Sequence, residues 1–282
     1  MSESAALPIP IPVPAPTSLR RPVRDPVRDS VRDSVRGPAR GPGTDHEPDP
    51  AGDFGPGSLP PAAPGARIWA RRVTKVLLGC LLGYGVLWAA SAGGMLAVSA
   101  WARHGASAGS GERTAGINHF LAVDPHVWRG SAPTAAGYRA LADRGIRTVV
   151  DLRAEDLAPA ELALPSAAGL HAVRLPIRDG QTPTERQVDT FLRIVRTSQG
   201  PVFVHCGAGV GRTGSMAAAY LVRTGQADSR QAALRTLAVG PPSIEQVYYV
   251  LNVSRDDTDQ PPLLVQGVSR FLDAPRRIMA SL

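Results

Sequence analysis

The chain has 282 residues, of which 43% are hydrophobic and 20% charged, and its net charge is +7. That length allows one or two domains. Two cysteines, Cys80 and Cys206, imply no disulfide framework. The basic balance does not point to nucleic acid, because the arginines gather in the N-terminal tail and beside an apolar segment and no nucleic-acid motif is present. Solvated tail charge, attracted to a membrane surface, accounts for it.

Residues 1–66 open with proline alternating with small apolar residues from Pro8 to Pro16. Proline cannot donate to a strand ladder, so this predicts polyproline II. A four-residue repeat follows: Val-Arg-Asp recurs after Pro22, Pro26 and Ser30 and decays toward Gly41. The period is too short for a solenoid and the apolar content too thin for a core, so residues 1–66 read as a disordered spacer.

Residues 73–102 read as a transmembrane helix. No charged side chain lies between Lys75 and Arg103, and that run exceeds the ~20 residues needed to cross a bilayer. Trp69 and Trp101 stand near its ends, as interfacial anchors do. Arg67, Arg71, Arg72 and Lys75 precede it, whereas only Arg103 and Arg113 follow closely. The positive-inside rule then puts the tail in the cytoplasm and the remainder outside, in a single-pass protein of the cell membrane. A signal peptide cleaved near Val98-Ser99-Ala100 is the competing reading. Gly79 and Gly83 are spaced to pack two such helices into a homodimer.

After a Gly/Ser-rich linker, 103–116, the composition becomes that of a folded domain, 117–254, with an extension at 255–282. Strands are expected at 126–129, 148–152, 171–175 and 202–205. A helix runs through Tyr138, Leu141 and Ala142 and stops near Gly145. Pro159 and Pro165 break 155–168 into a short helix and loop. Thr182-Pro183-Thr184-Glu185 reads as a helix start with proline first and a capping box; that helix buries Val188, Phe191, Leu192 and Val195. Further helices are expected at 212–224, 229–238 and 243–253. Strands alternating with helices give an α/β fold, a mostly parallel sheet with helices on both faces.

The chemistry centres on 202–214. A short strand ends at Cys206, a nucleophile, and Gly207, Ala208, Gly209, Val210 and Gly211 lead to Arg212 at a helix start. Such a loop can turn its N–H groups inward around an anion, and the helix adds its positive end. Arg212 can grip two oxygens of a tetrahedral anion with its planar fork. The same donors would stabilise a thiolate at Cys206. The loop sits at the carboxyl end of a strand, where such sheets bind ligands.

His205-Cys206, five residues, then Arg212-Thr213-Gly214 resembles the signature of cysteine-dependent protein tyrosine and dual-specificity phosphatases. Trp128-Arg129-Gly130-Ser131-Ala132-Pro133, the stretch 145–153 and the stretch 175–180 look like the compact bacterial and fungal members. The resemblance covers roughly 118–253. It implies the cysteine-phosphatase fold and a phosphocysteine at Cys206, with Arg212 on the phosphoryl oxygens. It also implies that His205 helps set the thiolate, that Thr213 hydrogen-bonds the sulfur, and that Asp179 is the general acid that protonates the leaving oxygen. Asp151 is the competing carboxylate and reads better as a brace for its strand end; Arg153 and Arg178 are candidate pocket residues. No metal site or cofactor is implied, since the histidines are scattered and Cys/Arg catalysis requires none. The expected partner is a phosphorylated protein or a small phosphomonoester. An inositol-phosphate or phosphoinositide phosphatase is the alternative enzyme, disfavoured by Ala208 and Val210 where countercharge would stand. A membrane-tethered phosphate-binding pseudophosphatase is the alternative from another class.

Overall fold

The computed structural model describes residues 64–105 and 111–280. The disorder expected of the tail up to residue 63 lies outside the described residues. Residues 64–66, also assigned to the tail, instead form the first turn of helix α1 (Pro64–Gly105), where proline suits a helix start. The helix thus extends beyond 73–102 at both ends, and its length and apolar composition suffice to cross a membrane.

Then come strands β1 (Glu112–Thr114), β2 (Ile117–Ala122) and β3 (Val127–Ser131), helix α2 (Ala135–Asp143), strand β4 (Thr148–Arg153), short helices α3 (Pro159–Leu162) and α4 (Leu164–Ala167), and strand β5 (His171–Ile177). Helix α5 (Glu185–Thr197), strand β6 (Val202–Cys206) and helices α6 (Gly211–Arg223), α7 (Ser229–Val239), α8 (Ile244–Asn252) and α9 (Leu263–Ala280) complete the order. The six strands form one sheet in the order β1-β2-β3-β6-β4-β5. Strands β3, β6, β4 and β5 are parallel, as the alternation of elements requires, and β1 and β2 add an antiparallel edge.

That edge departs from the expected boundaries, because β1 lies within the stretch read as linker. Ala115 and Gly116 have φ of 47° and 82°, the twisted two-residue turn that suits a tight hairpin. The glycine read as a sign of flexibility is there to make a turn. Helix α5 starts two residues later than expected. Its capping box is Thr184 with Gln187, and not Thr182 with Glu185, so Pro183 precedes the cap. Prolines 159 and 165 each start a short helix, giving two where one was expected. The extension at 255–282 is not plain tail but carries α9.

Alternate residues of the sheet face two cores. Val150, Leu152 and Val204 pack with Phe191 of α5, Met216 and Tyr220 of α6 and Tyr249 of α8. Val149 and Phe203 pack on the other face with Tyr138 and Leu141 of α2. Helices therefore cover both faces, and the period-2 pattern of β4 and β6 is buried on each side. Helix α6 is buried from Arg212 to Val222, which fixes the start of the helix that follows the nucleophile. Helix α1 also touches this body: Ser99 Oγ donates to Leu237 O at 2.7 Å, and Ala102 is buried against Leu237 and Ala238.

Candidate active site

Cys206 is the last residue of β6, held centrally between β3 and β4. The chain then turns through Gly207–Val210 into α6. Gly209 has φ +75°, open to glycine at little cost. A Cβ there would run into the backbone of Gly130 and Ser131, so the loop can lie on β3 only with glycine at this position. Ala132 N donates to Gly207 O at 3.0 Å and pins the loop's first residue to the same segment. No side chain caps α6 at Val210, which leaves the first N–H groups of this helix available to an anion.

Arg212 lies 5% exposed beneath the loop mouth. Its Nη1 donates to Glu155 Oε2 at 2.8 Å and to Ile177 O at 3.1 Å, and its Nη2 stands 3.4 Å from Asp179 Oδ1. Burial opposes its charge, but Glu155, Cys206 and Asp179 outweigh that and hold its pKa above the ordinary value. The carboxylate of Glu155 pays a burial cost in turn and is still held below its usual range by the bond from Arg212.

Asp179 follows β5 directly and precedes Gly180, whose φ of +76° turns the chain. Two bonds fix this turn from behind. Ser243 Oγ donates to Gly180 O at 2.9 Å, and Gln246 Nε2 donates to Gln181 O at 2.9 Å. The amide of Gln246 also fills the space where a Cβ on Gly211 would sit. One side chain of α8 therefore links the Asp179 turn to the start of α6.

The other residues singled out in the sequence separate into near and far. Thr213 Oγ1 is buried with no hydrogen-bond partner, a donor left unspent at the start of α6. His205 is fully buried, stacked on Phe203 with ring centroids 5.7 Å apart. Burial pushes its pKa down to about 4, against the pull of Asp151, so the ring is neutral at pH 7 and brings no full charge to the loop. Asp151 is not at the loop mouth. It accepts from Arg153 N at 2.9 Å and pairs with the Arg153 guanidinium, as a strand-end brace does. That pairing also commits Arg153, which is buried and extends to Glu161. Arg178 is exposed.

Two participants escaped the sequence reading. Glu155 carries no local signal; it matters only because the fold lays it on Arg212, 57 positions away. Arg129 was seen as part of a strand and of the stretch 128–133 that carries the resemblance, with no role of its own. It is 3% exposed, and its Nη2 donates to Gly209 O at 2.9 Å and Val210 O at 3.2 Å. Its place in β3, two residues from buried Val127 and Ser131, was the available clue that it points inward.

The chemistry this arrangement permits is narrow. A thiol at a strand end is followed by a glycine-rich loop and an uncapped helix start, with a guanidinium tied to Glu155 and Ile177 and a carboxylate beside that guanidinium. This suits attack by sulfur on a tetrahedral anion with proton donation from the side.

Residues 124–226 match the family described as "Polymorphic toxin system, DSP-PTPase phosphatase". Among curated proteins the chain is similar to "NAD kinase 2, chloroplastic" of Arabidopsis thaliana, at 38% identity over 95 residues, 32% of this chain and 10% of that protein. It is also similar to "Dual specificity protein phosphatase CDC14C" of Homo sapiens, at 43% identity over 56 residues, 20% of this chain and 12% of that protein. The chain thus spans only about a tenth of the length of these relatives. Among solved structures it is similar to Tk-PTP in the active form, with a TM-score of 0.43 and 24% identity over 49% of this chain and 96% of that one. The family match runs from the turn before β3 to just past α6 and contains Asp179, Cys206 and Arg212. This part of the chain is similar to cysteine-dependent phosphatases.

Proposed function

We propose that the chain is a phosphomonoester hydrolase of the protein tyrosine and dual-specificity type, anchored to the cell membrane by α1. The observation that carries the reading is the convergence on one loop of Cys206, Arg212 and, 3.4 Å from the guanidinium, Asp179. The Cys206 thiolate attacks phosphorus, the bond from phosphorus to the ester oxygen breaks, and Asp179 gives its proton to that oxygen. A water then attacks the phosphocysteine, Asp179 takes a proton from it, and the thiolate leaves with inorganic phosphate as the product. Arg212 holds two phosphoryl oxygens throughout with Nη2 and with Nε, which is buried without a partner, while Nη1 keeps its bonds to Glu155 and Ile177. The loop N–H groups stabilise the charge on the transferred group. Thr213 Oγ1, buried without a hydrogen-bond partner, bonds the sulfur as it leaves.

A single phosphate on a protein side chain is the substrate class supported best. Ala208 and Val210 bring no cation to the loop for further phosphates. The dual-specificity name of the human relative agrees with this class. The four cations ahead of the apolar run favour a cytoplasmic tail and a catalytic domain on the far side. The test of the chemistry is Cys206→Ser in the full chain. Hydrolysis of p-nitrophenyl phosphate and of a phosphotyrosine peptide should vanish while the thermal transition stays in place. Undiminished turnover would rule out a covalent path through this sulfur.

A further inference from the structure

Helix α9 is built inside out for a soluble domain. Gln266, Ser269 and Asp273, at helical spacing, turn toward the protein. Ser269 is buried and accepts from Glu245 N at 3.1 Å, its hydroxyl reaches Asp273 Oδ2 at 3.2 Å, and Gln266 donates to Pro261 O at 2.7 Å. The outward positions are apolar: Leu263 is 84% exposed, Leu264 78%, Val268 46% and Phe271 58%. An amphipathic helix on a water-facing surface has the reverse arrangement. Its polar stripe is already satisfied by the domain, so the outer stripe awaits a non-aqueous partner.

The contact between α9 and α1 says which partner. Pro275 has no N–H, so the carbonyl of Phe271 loses its ordinary helical donor. Tyr84 of α1 supplies one: its Oη donates to Phe271 O at 2.8 Å, and the two rings meet edge to face at 4.8 Å. Tyr84 stands early in the charge-free run, about 27 Å along the helix from Ala102 at 1.5 Å per residue. Between them Trp88, Met95 and Leu96 face Pro241, Pro242 and Leu272 across an apolar cavity of about 210 Å³. Lipid that reaches the apolar run beyond Tyr84 therefore also reaches α9. Arg270, beside the apolar stripe, is exposed, which suits anionic headgroups.

We propose that α9 is a second lipid-contacting element, lying in the membrane surface with Leu263, Leu264, Val268 and Phe271 toward the acyl chains. It rests on α1 as the anchor, and it has a consequence for the site. Asp273, on the inner stripe, lies beside Gly180 in the Asp179 turn, so membrane seating of α9 and the position of the Asp179 turn share one contact surface.

The test uses the full chain with Cys80→Ser and Cys206→Ser, reconstituted in vesicles of phosphatidylcholine and phosphatidylglycerol. An environment-sensitive fluorophore is placed at Leu264→Cys or, as a control on α5, at Arg196→Cys; both positions are exposed, so the fold tolerates the label. The Leu264 probe should emit to the blue, lose intensity with doxyl-labelled lipid and resist aqueous iodide, with the opposite pattern at Arg196. A Leu264 probe open to iodide in a chain that floats with the vesicles overturns the proposal for α9 and leaves α1 as the anchor. A probe shielded from both quenchers overturns it in favour of a protein partner such as a second copy. A chain that does not float overturns both membrane roles and leaves the phosphatase reading to its own test, on the chain that keeps Cys206.

Discussion

Arg129 offers the sharpest test of how the loop is held. It is a buried guanidinium with no carboxylate partner among the described residues. Burial pulls its pKa down to about 10, and the negative charge of Cys206 pulls the other way. It is still protonated at pH 7. A buried cation of this kind is tolerated only where dipoles or anionic chemistry offset the loss of water. Here the offset comes from the carbonyls of Gly209 and Val210 at 2.9 and 3.2 Å. Pulling these oxygens back toward β3 turns the neighbouring N–H groups toward the anion. Arg129→Met removes both bonds. Hydrogen bonds to a charged group contribute about 1.5–3 kcal/mol, and because one nitrogen serves both oxygens they count roughly once. A loss of about 1.5–3 kcal/mol from the ordered loop corresponds to about 10- to 150-fold in kcat/KM. Removing a buried charge also relieves its desolvation, so the thermal transition should move less than the activity. Arg129→Lys keeps the charge, reaches at most one oxygen and should fall between. Steady-state kinetics on p-nitrophenyl phosphate, with inorganic phosphate as competitive inhibitor, read both the rate and the anion site. If Arg129→Met keeps kcat/KM within about threefold, or loses activity only in step with its folded fraction, the loop-orienting role is wrong.

Asp179→Asn should slow phenyl or alkyl phosphates far more than p-nitrophenyl phosphate, whose leaving group hardly needs the proton; equal slowing of both would make Asp179 structural. The buried His205 predicts an acid-sensitive fold. Its folded pKa of about 4 lies below the ordinary 6.5, so the unfolded chain takes the proton first, and stability is full above 6.5 and falls as pH drops toward 4. The loss should reach about 3 kcal/mol in urea titrations across that window. Asp151, whose pKa is lowered despite its burial by the bond from Arg153, adds its loss only below its ordinary 3.8; a flat stability between pH 6.5 and 4 would contradict a neutral His205. For topology, a reporter fused after Gly111 should be active as an exported phosphatase and dark as a cytoplasm-dependent fluorophore, and the reverse pattern would put the domain inside.

The parts legible in the sequence were those written in consecutive residues. Cys206 to Arg212 is such a run, because the expected strand end, loop and helix start follow one another without a break. The buried strands β4 and β6 showed themselves by their β-branched and aromatic starts, Thr148-Val149-Val150 and Val202-Phe203-Val204. The reading failed where one residue type serves opposite purposes. Gly116 looked like linker and makes a hairpin turn. His205 stands beside the nucleophile in the sequence, and its complete burial is visible only in the fold.

What could not be read is what the fold brings together from afar. Glu155 meets Arg212 across 57 positions, Arg129 meets Gly209 across 80, and Tyr84 meets Phe271 across 187. None of these pairs has a spacing that helix or strand periodicity could reveal, because each is set by how strands and helices are ordered in space. The glycines show how much the local motif depends on these distant partners. Gly209 is demanded by the backbone of β3 lying against it, and Gly211 by the amide of Gln246. A loop read as a self-contained phosphate cradle is therefore clamped on one side by a strand from the start of the domain and on the other by a helix from its end. Its geometry is stored in those two elements, and substitutions in either, such as at Arg129 or Gln246, should act on the proposed anion site without touching the anion.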